Sequence, residues 1–186
     1  MLRTDTPKTI YLKNYQPYPY KLLSVDLNFD IHDGETFVIA KTRMKRKDAE
    51  KKSPIFLNGE HLALKEIKIN DVATNDYTLD ESSLTIPSPA NEEFTLEITT
   101  IVHPEDNTRL EGLYKSGGNY CTQCESEGFR TITYFPDRPD VMTIYTVRIE
   151  ADKTASPILL SNGNKTGEGD AQNGRHFTTW HDPHPK

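Results

Sequence analysis

The sequence predicts an all-β fold, a saddle-like β-sandwich of two mainly antiparallel sheets with at most single helical turns. Apolar and polar residues alternate at period 2 in short runs, turn dipeptides separate the runs, and no 3.6-residue period persists over about twelve residues. A hydrophobic fraction of 34% in 186 residues agrees, because an alternating strand needs only half its residues apolar. A chain of this length can bury roughly 70% of its unfolded surface, so a core needs no staples. Nine Tyr, seven Phe and many β-branched residues in strand-length runs argue against disorder.

Taken in order, Leu22–Ile31 alternates, with Leu23, Val25, Leu27, Phe29 and Ile31 on one face. His32-Asp33-Gly34-Glu35 reads as a hairpin turn, and Thr36–Lys47 as the return strand. Ile55–Leu57 is a strand ending at the turn dipeptide Asn58-Gly59. Leu62–Ile69, Tyr77–Leu79 and Leu84–Ile86 are shorter strands, and Phe94–Val102 alternates clearly. Beyond a long polar loop, Phe129–Tyr134, Met142–Ala151 and Pro157–Leu160 read as strands. His176–Trp180 is the second arm of a hairpin turning at Asn173-Gly174. Glu125–Gly128 and Asp137–Val141 can each form one helical turn, the second capped by Asp137 ahead of Arg138-Pro139.

A net charge of −6 gives no reason to expect a nucleic-acid partner. The basic cluster from Lys41 to Lys52 reads as a charged edge strand entering a solvated turn, since charged edges block edge-to-edge pairing. No signal peptide or membrane-spanning run is visible, which predicts a cytoplasmic protein without a membrane partner. The segment from His181 to Lys186 has the look of a connection onward, so a longer parent chain is expected.

Function concentrates in the polar loop from Leu110 to Val141, because polar groups held between strands are where binding residues usually sit. Cys121 and Cys124 form C-x-x-C. A structural zinc would need a second pair, for which only His181 and His184 offer themselves, and a redox pair would need a helix N-terminus. Two free thiols in a reducing compartment are the plain alternative. Glu125 and Glu127 could serve as an acid–base pair or be ordinary loop acids, with Arg130 paired to one of them. No H-E-x-x-H, nucleophile elbow or phosphate-binding glycine loop is present, so the chain alone is not expected to catalyse.

The loop resembles the N-terminal domain of the aminopeptidase N family of zinc exopeptidases, the gluzincins. The residues that carry the likeness are Thr108-Arg109-Leu110-Glu111-Gly112-Leu113-Tyr114, Cys121-Thr122-Gln123-Cys124-Glu125-Ser126-Glu127-Gly128-Phe129-Arg130 and Asp137-Arg138-Pro139-Asp140-Val141. Leu57-Asn58-Gly59-Glu60, Ile69-Asn70, Leu159–Asn164 and Asn173–His176 extend it over nearly the whole chain, in order. The resemblance implies that residues 1–186 are the single N-terminal β domain of a larger aminopeptidase, whose catalytic domain and bound zinc lie outside this sequence. It implies a β saddle packed on that domain, with one loop reaching the active site. There Glu125 would bind the free α-amino group of a peptide substrate and Gln123 would line the first side-chain pocket. It also implies a cis peptide bond between Glu125 and Ser126.

The chemistry is consistent with those assignments. A carboxylate in a poorly hydrated pocket accepts charge-assisted hydrogen bonds from an ammonium, and so orients the peptide by its end. A second reading is a non-catalytic β-sandwich interaction or carbohydrate-binding module, which would present exposed aromatics. Tyr15, Tyr18 and Tyr20 are candidates, although Pro17 and Pro19 suggest an extended arm.

Overall fold

A computed structural model describes residue 9 and residues 11–186 of the chain. The strands, in chain order, are β1 (Tyr20–Ile31), β2 (Thr36–Arg46), β3 (Ile55–Asn58), β4 (Ala63–Ile69), β5 (Val72–Ala73), β6 (Thr78–Asp80) and β7 (Ser83–Ile86). They continue with β8 (Glu93–Val102), β9 (Gly112–Ser116), β10 (Asn119–Gln123), β11 (Tyr145–Asp152), β12 (Asn164–Asp170) and β13 (Arg175–Asp182). Helical structure among the described residues is confined to single 3₁₀ turns at Leu12–Asn14 and Phe129–Thr131.

An eight-stranded sheet in the order β12-β13-β11-β1-β2-β8-β4-β5 forms the body. A three-stranded sheet, β3-β7-β6, is the second layer, and β9 with β10 makes a separate hairpin. Pairing is antiparallel except where β1 runs parallel to β11, with Val25 opposite Tyr145. The all-β saddle that the alternation predicts is therefore the fold found.

Alternation explains the core. Val25, Leu27 and Phe29 of β1, Val38, Ala40 and Met44 of β2, and Phe94, Leu96 and Ile98 of β8 are buried in one cluster. Ile55, Leu57, Leu84 and Ile86 of the small sheet belong to the same cluster. Each large aliphatic side chain so buried contributes about 1.5–3 kcal/mol. Three buried or part-buried hydroxyls find carbonyl partners. The Tyr18 hydroxyl donates to the Phe56 carbonyl at 3.1 Å, the Tyr20 hydroxyl donates to the Ser53 carbonyl, and Thr100 Oγ1 donates to the Ile132 carbonyl at 3.0 Å.

Several elements differ from the sequence reading, each for a physical reason. In β1 it is Leu22 that is buried and Leu23 that is half-exposed, because the register with β2 shifts between Leu22 and Ser24. That bulge absorbs one residue and reverses the facing of Tyr20 and Leu22 relative to the later alternation. The basic cluster is not an edge: β2 lies between β1 and β8. Its cations point from the outer face to acids on neighbouring elements, Lys41 to Asp71 at 2.6 Å, Arg43 Nε to Glu93 at 2.7 Å and Lys45 to Glu92 at 3.3 Å. Arg46 faces inward, 4% exposed, and donates to the carbonyls of Ala49 and Pro89. One true edge of the large sheet is β12, whose run Asn164-Lys165-Thr166-Gly167-Glu168-Gly169-Asp170 holds no apolar side chain to signal a strand.

Phe129–Tyr134 is not a strand. It is a 3₁₀ turn followed by an irregular segment that touches the small sheet through the bridge of Phe135 to Asn58. Pro157–Leu160 is an extended loop rather than a strand. Over Asp137–Val141 one hydrogen-bonded turn closes from the Val141 N–H to the Arg138 carbonyl at 3.1 Å, but Asp137 does not cap it, because its carboxylate is taken by Arg130. The β9–β10 hairpin, read as loop, turns at Gly117-Gly118, both at positive φ.

Candidate functional site

The β9–β10 hairpin delivers the site. Gln123 is the last residue of β10 and pairs with Gly112, the first of β9. The chain then makes a tight turn over residues 125–128 and enters the 3₁₀ turn at Phe129. The Gly128 N–H donates to the Cys124 carbonyl at 2.9 Å, and Thr131 Oγ1 donates to the Gly128 carbonyl at 2.8 Å. Gly112 has φ +69°, and a Cβ there would overlap Thr131 Oγ1. A Cβ on Gly128 would overlap the Gln123 carbonyl. Two glycines thus let the start of the hairpin and the end of the turn touch backbone to backbone.

The structure brings Gln123 and Glu125 together. Gln123 Nε2 donates to the Glu125 carbonyl at 3.4 Å, leaving both side-chain ends at the surface. Glu125, Ser126 and Glu127 line a pocket of about 280 Å³ with Glu111. Glu111 was not singled out in the sequence. The signal that could have marked it is the adjacent Gly112, whose positive φ turns the chain toward the loop. The Glu125–Ser126 peptide bond is cis, as the resemblance implied.

Beneath the turn, aromatic packing fixes the loop. The Phe129 ring meets Phe135 edge-on at 4.9 Å and Tyr145 at 6.1 Å. Arg130, 12% exposed, joins the pieces: its N–H and Nε both donate to Asp137 Oδ2 at 3.1 Å, and Nη2 donates to the Asp137 carbonyl at 2.9 Å. Its Nη1 lies 3.5 Å from Glu127 and 3.8 Å from Glu60. Arg130 therefore pairs with Glu127, and more closely with Asp137. Cys124 is half-buried, and burial, with the Asp137 charge behind it, pushes its thiol up to about 11. That is the reverse of what a redox nucleophile needs.

The pocket opens onto a wider groove of about 1310 Å³ running beneath the large sheet, lined by Phe29, Phe129, Phe135, Tyr145 and Val147 among others. Along and beside this groove Met142, Ile158 and Leu160 are 57%, 74% and 71% exposed. Of the tyrosines weighed as a binding platform, Tyr18 and Tyr20 are buried in the core. Tyr15 is exposed, but its hydroxyl is held by Asp140 at 2.9 Å. Among the described residues no three His, Cys, Asp or Glu side chains converge as a metal would require.

The chain belongs to the Peptidase M1 N-terminal domain family, whose profile it matches over residues 13–186. It is 48% identical to aminopeptidase N of Caulobacter vibrioides over 187 aligned residues, and 45% identical to that of Escherichia coli over 183. It spans 21% of the length of each of these relatives, against 100% and 98% of its own. Legionella pneumophila aminopeptidase A, solved in complex with aspartic acid, superposes with a TM-score of 0.86 at 34% identity, covering 94% of this chain and 21% of that one. A mutant M1 zinc metallopeptidase of Deinococcus radiodurans bound to a Tyr-Ser-Ala substrate shares the fold at a TM-score of 0.75 and 16% identity, over 90% of this chain and 40% of that one.

Proposed function

We propose that residues 1–186 are the N-terminal domain of a zinc aminopeptidase that releases amino acids from the N-termini of peptides. In this reading the 125–128 turn helps to form the substrate site. Glu125 accepts hydrogen bonds from the free α-ammonium of the peptide, and Gln123 lines the pocket for its first side chain. The observation that carries the reading is the turn itself: Gln123 bonded to the Glu125 backbone, with Glu125 lining the small pocket. The amino acid and peptide bound by the Legionella and Deinococcus proteins support a substrate of this class.

Zinc would be held by the remainder of the polypeptide, where it would polarise the scissile carbonyl. The residues of this chain bind and orient. A carboxylate that fixes the terminal ammonium sets the distance from the chain end to the reacting bond, which is what makes an exopeptidase cut one residue in. The apolar groove and the exposed Met142, Ile158 and Leu160 fit a face covered by the catalytic domain of the same polypeptide.

Glu125→Ala in the full-length enzyme tests the assignment. Truncating one partner of a buried charge pair costs about 2–5 kcal/mol, so kcat/KM for a free N-terminus should fall by tens- to thousands-fold at roughly 1.4 kcal/mol per tenfold. A value within twofold of the parent would remove Glu125 from the amine.

A further inference from the structure

The structure assigns to Arg130 a positioning role for Glu125, an inference that rests on the reading of Glu125 as the amine-binding residue. Residues 125–127 are exposed and carry no apolar side chain, so the aromatic packing of Phe129 secures the base of the turn and leaves its tip to polar contacts. At its leading end it is fixed by β10, through Gln123 paired with Gly112. At its trailing end Gly128 is bonded to Cys124 and Thr131, and the side chain just before it, Glu127, is met by Arg130.

The guanidinium uses its three nitrogens on different parts of the fold. Nε and Nη2 grip Asp137, by the carboxylate at 3.1 Å and the carbonyl at 2.9 Å. Nη1 points back at the turn, 3.5 Å from Glu127. The same nitrogen lies 3.8 Å from Glu60, whose N–H also donates to the Arg130 carbonyl at 3.0 Å. The turn that carries Glu125 is thereby tied to the small-sheet segment following β3 and to the 137–141 loop at once. Arg130 and Asp137 are 12% and 13% exposed at the side chain, whereas Glu127 is 47% exposed. The clamp is therefore anchored in the protected interior and reaches out to the turn. The direction of control runs from Asp137 through Arg130 to Glu127, and through the turn's backbone to Glu125.

Only arginine can do this. Its planar fork presents fixed donors to Asp137 while a third nitrogen faces the opposite way, and lysine has one charged point on a flexible stem. Lysine at 130 keeps the charge and can still neutralise Asp137, but it cannot hold both sides together.

The test uses the full-length enzyme with Arg130→Lys, Glu125→Ala and the double variant, assayed on an alanyl reporter with a free α-amine. Arg130→Lys should raise KM about tenfold and lower kcat/KM roughly ten- to a hundredfold, the scale set by small misplacements of a substrate-orienting group. In the Glu125→Ala background the same substitution should change kcat/KM by less than about twofold, because the residue it positions is gone. A purely structural role for Arg130 would reduce the folded fraction, lowering apparent kcat with KM unchanged, and by the same factor in both backgrounds; either result overturns the proposal. If Glu125→Ala itself has no effect, the amine-anchor reading falls and this inference falls with it. If Glu125→Ala is severe but Arg130→Lys is additive with it, only this inference falls. Should Arg130→Lys fail to yield folded enzyme, Asp137→Asn loosens the same grip and must show the same pattern.

Discussion

Glu125 and Glu127 stand two residues apart, and the structure gives them different surroundings. Both line the small pocket, but Glu127 faces Arg130 at 3.5 Å, while Gln123 bonds the backbone carbonyl of Glu125. Glu125→Gln should accordingly cost kcat/KM less than Glu125→Ala, because the amide keeps an acceptor while losing the charge. Glu127→Ala should cost less than Glu125→Ala and no more than Arg130→Lys, since it releases only the hold on the turn, and parallel measurement of the variants checks the order. Cys124 allows a pH prediction. An ordinary thiol gives up its proton near 9, whereas folding holds this one up to about 11. Between those values the unfolded chain binds fewer protons than the folded one, so stability must fall as pH rises. Denaturant midpoints between pH 9 and pH 11 should therefore drop more steeply for the parent than for Cys124→Ser. The stretch that forms the turn was legible because the run from Gln123 to Arg130 is specific as a motif. The partner of Arg130 was not: Asp137 lies beyond the 3₁₀ turn, and nothing in its spacing says that its carboxylate bends back to Arg130 instead of capping residues 138–141.

At the scale of elements, the β9–β10 hairpin and the 125–128 turn act as one unit because Gly112 and Gly128 permit close contact. Gly112→Ala combines a positive φ with overlap against Thr131 and should destabilise the chain by more than about 1 kcal/mol. Gly117→Ala also lies at positive φ, but nothing stands within 4 Å of its added Cβ, so it should cost less. Thermal or denaturant unfolding of the two variants decides the ranking. The hairpin escaped the sequence reading although Gly117-Gly118 is a turn dipeptide, because its strands carry Lys115, Asn119, Thr122 and Gln123 where a core-facing strand would carry apolar residues. The long strands were readable for the opposite reason. Even in β1, though, period-2 counting put Leu23 inside, since a bulge leaves no mark in an all-apolar Leu22-Leu23 pair. Centrality in a sheet was likewise illegible for β2: outward cations look the same on an edge as on a strand flanked by acid-bearing β8.

At the scale of the whole molecule, the chain supplies a rigid saddle, an apolar groove beneath it and a charged turn at the groove's rim. It does not bring a metal's worth of ligands together among its described residues. The 186-residue chain on its own should neither retain stoichiometric zinc after chelator-free purification nor hydrolyse an alanyl reporter. Metal analysis and a direct assay check both, and zinc-dependent turnover by this chain would overturn the division of labour proposed. The central claim is narrower, that this domain contributes the carboxylate which recognises the peptide's end. The most direct measurement is a crystal structure of the full-length enzyme with a free amino acid bound. The account predicts the Glu125 carboxylate within about 2.7–3.2 Å of the ligand's α-nitrogen, a charge-assisted hydrogen bond, with Arg130 still gripping Asp137. An α-nitrogen held by other groups, with the Glu125 carboxylate more than about 4 Å away and facing solvent, would contradict it.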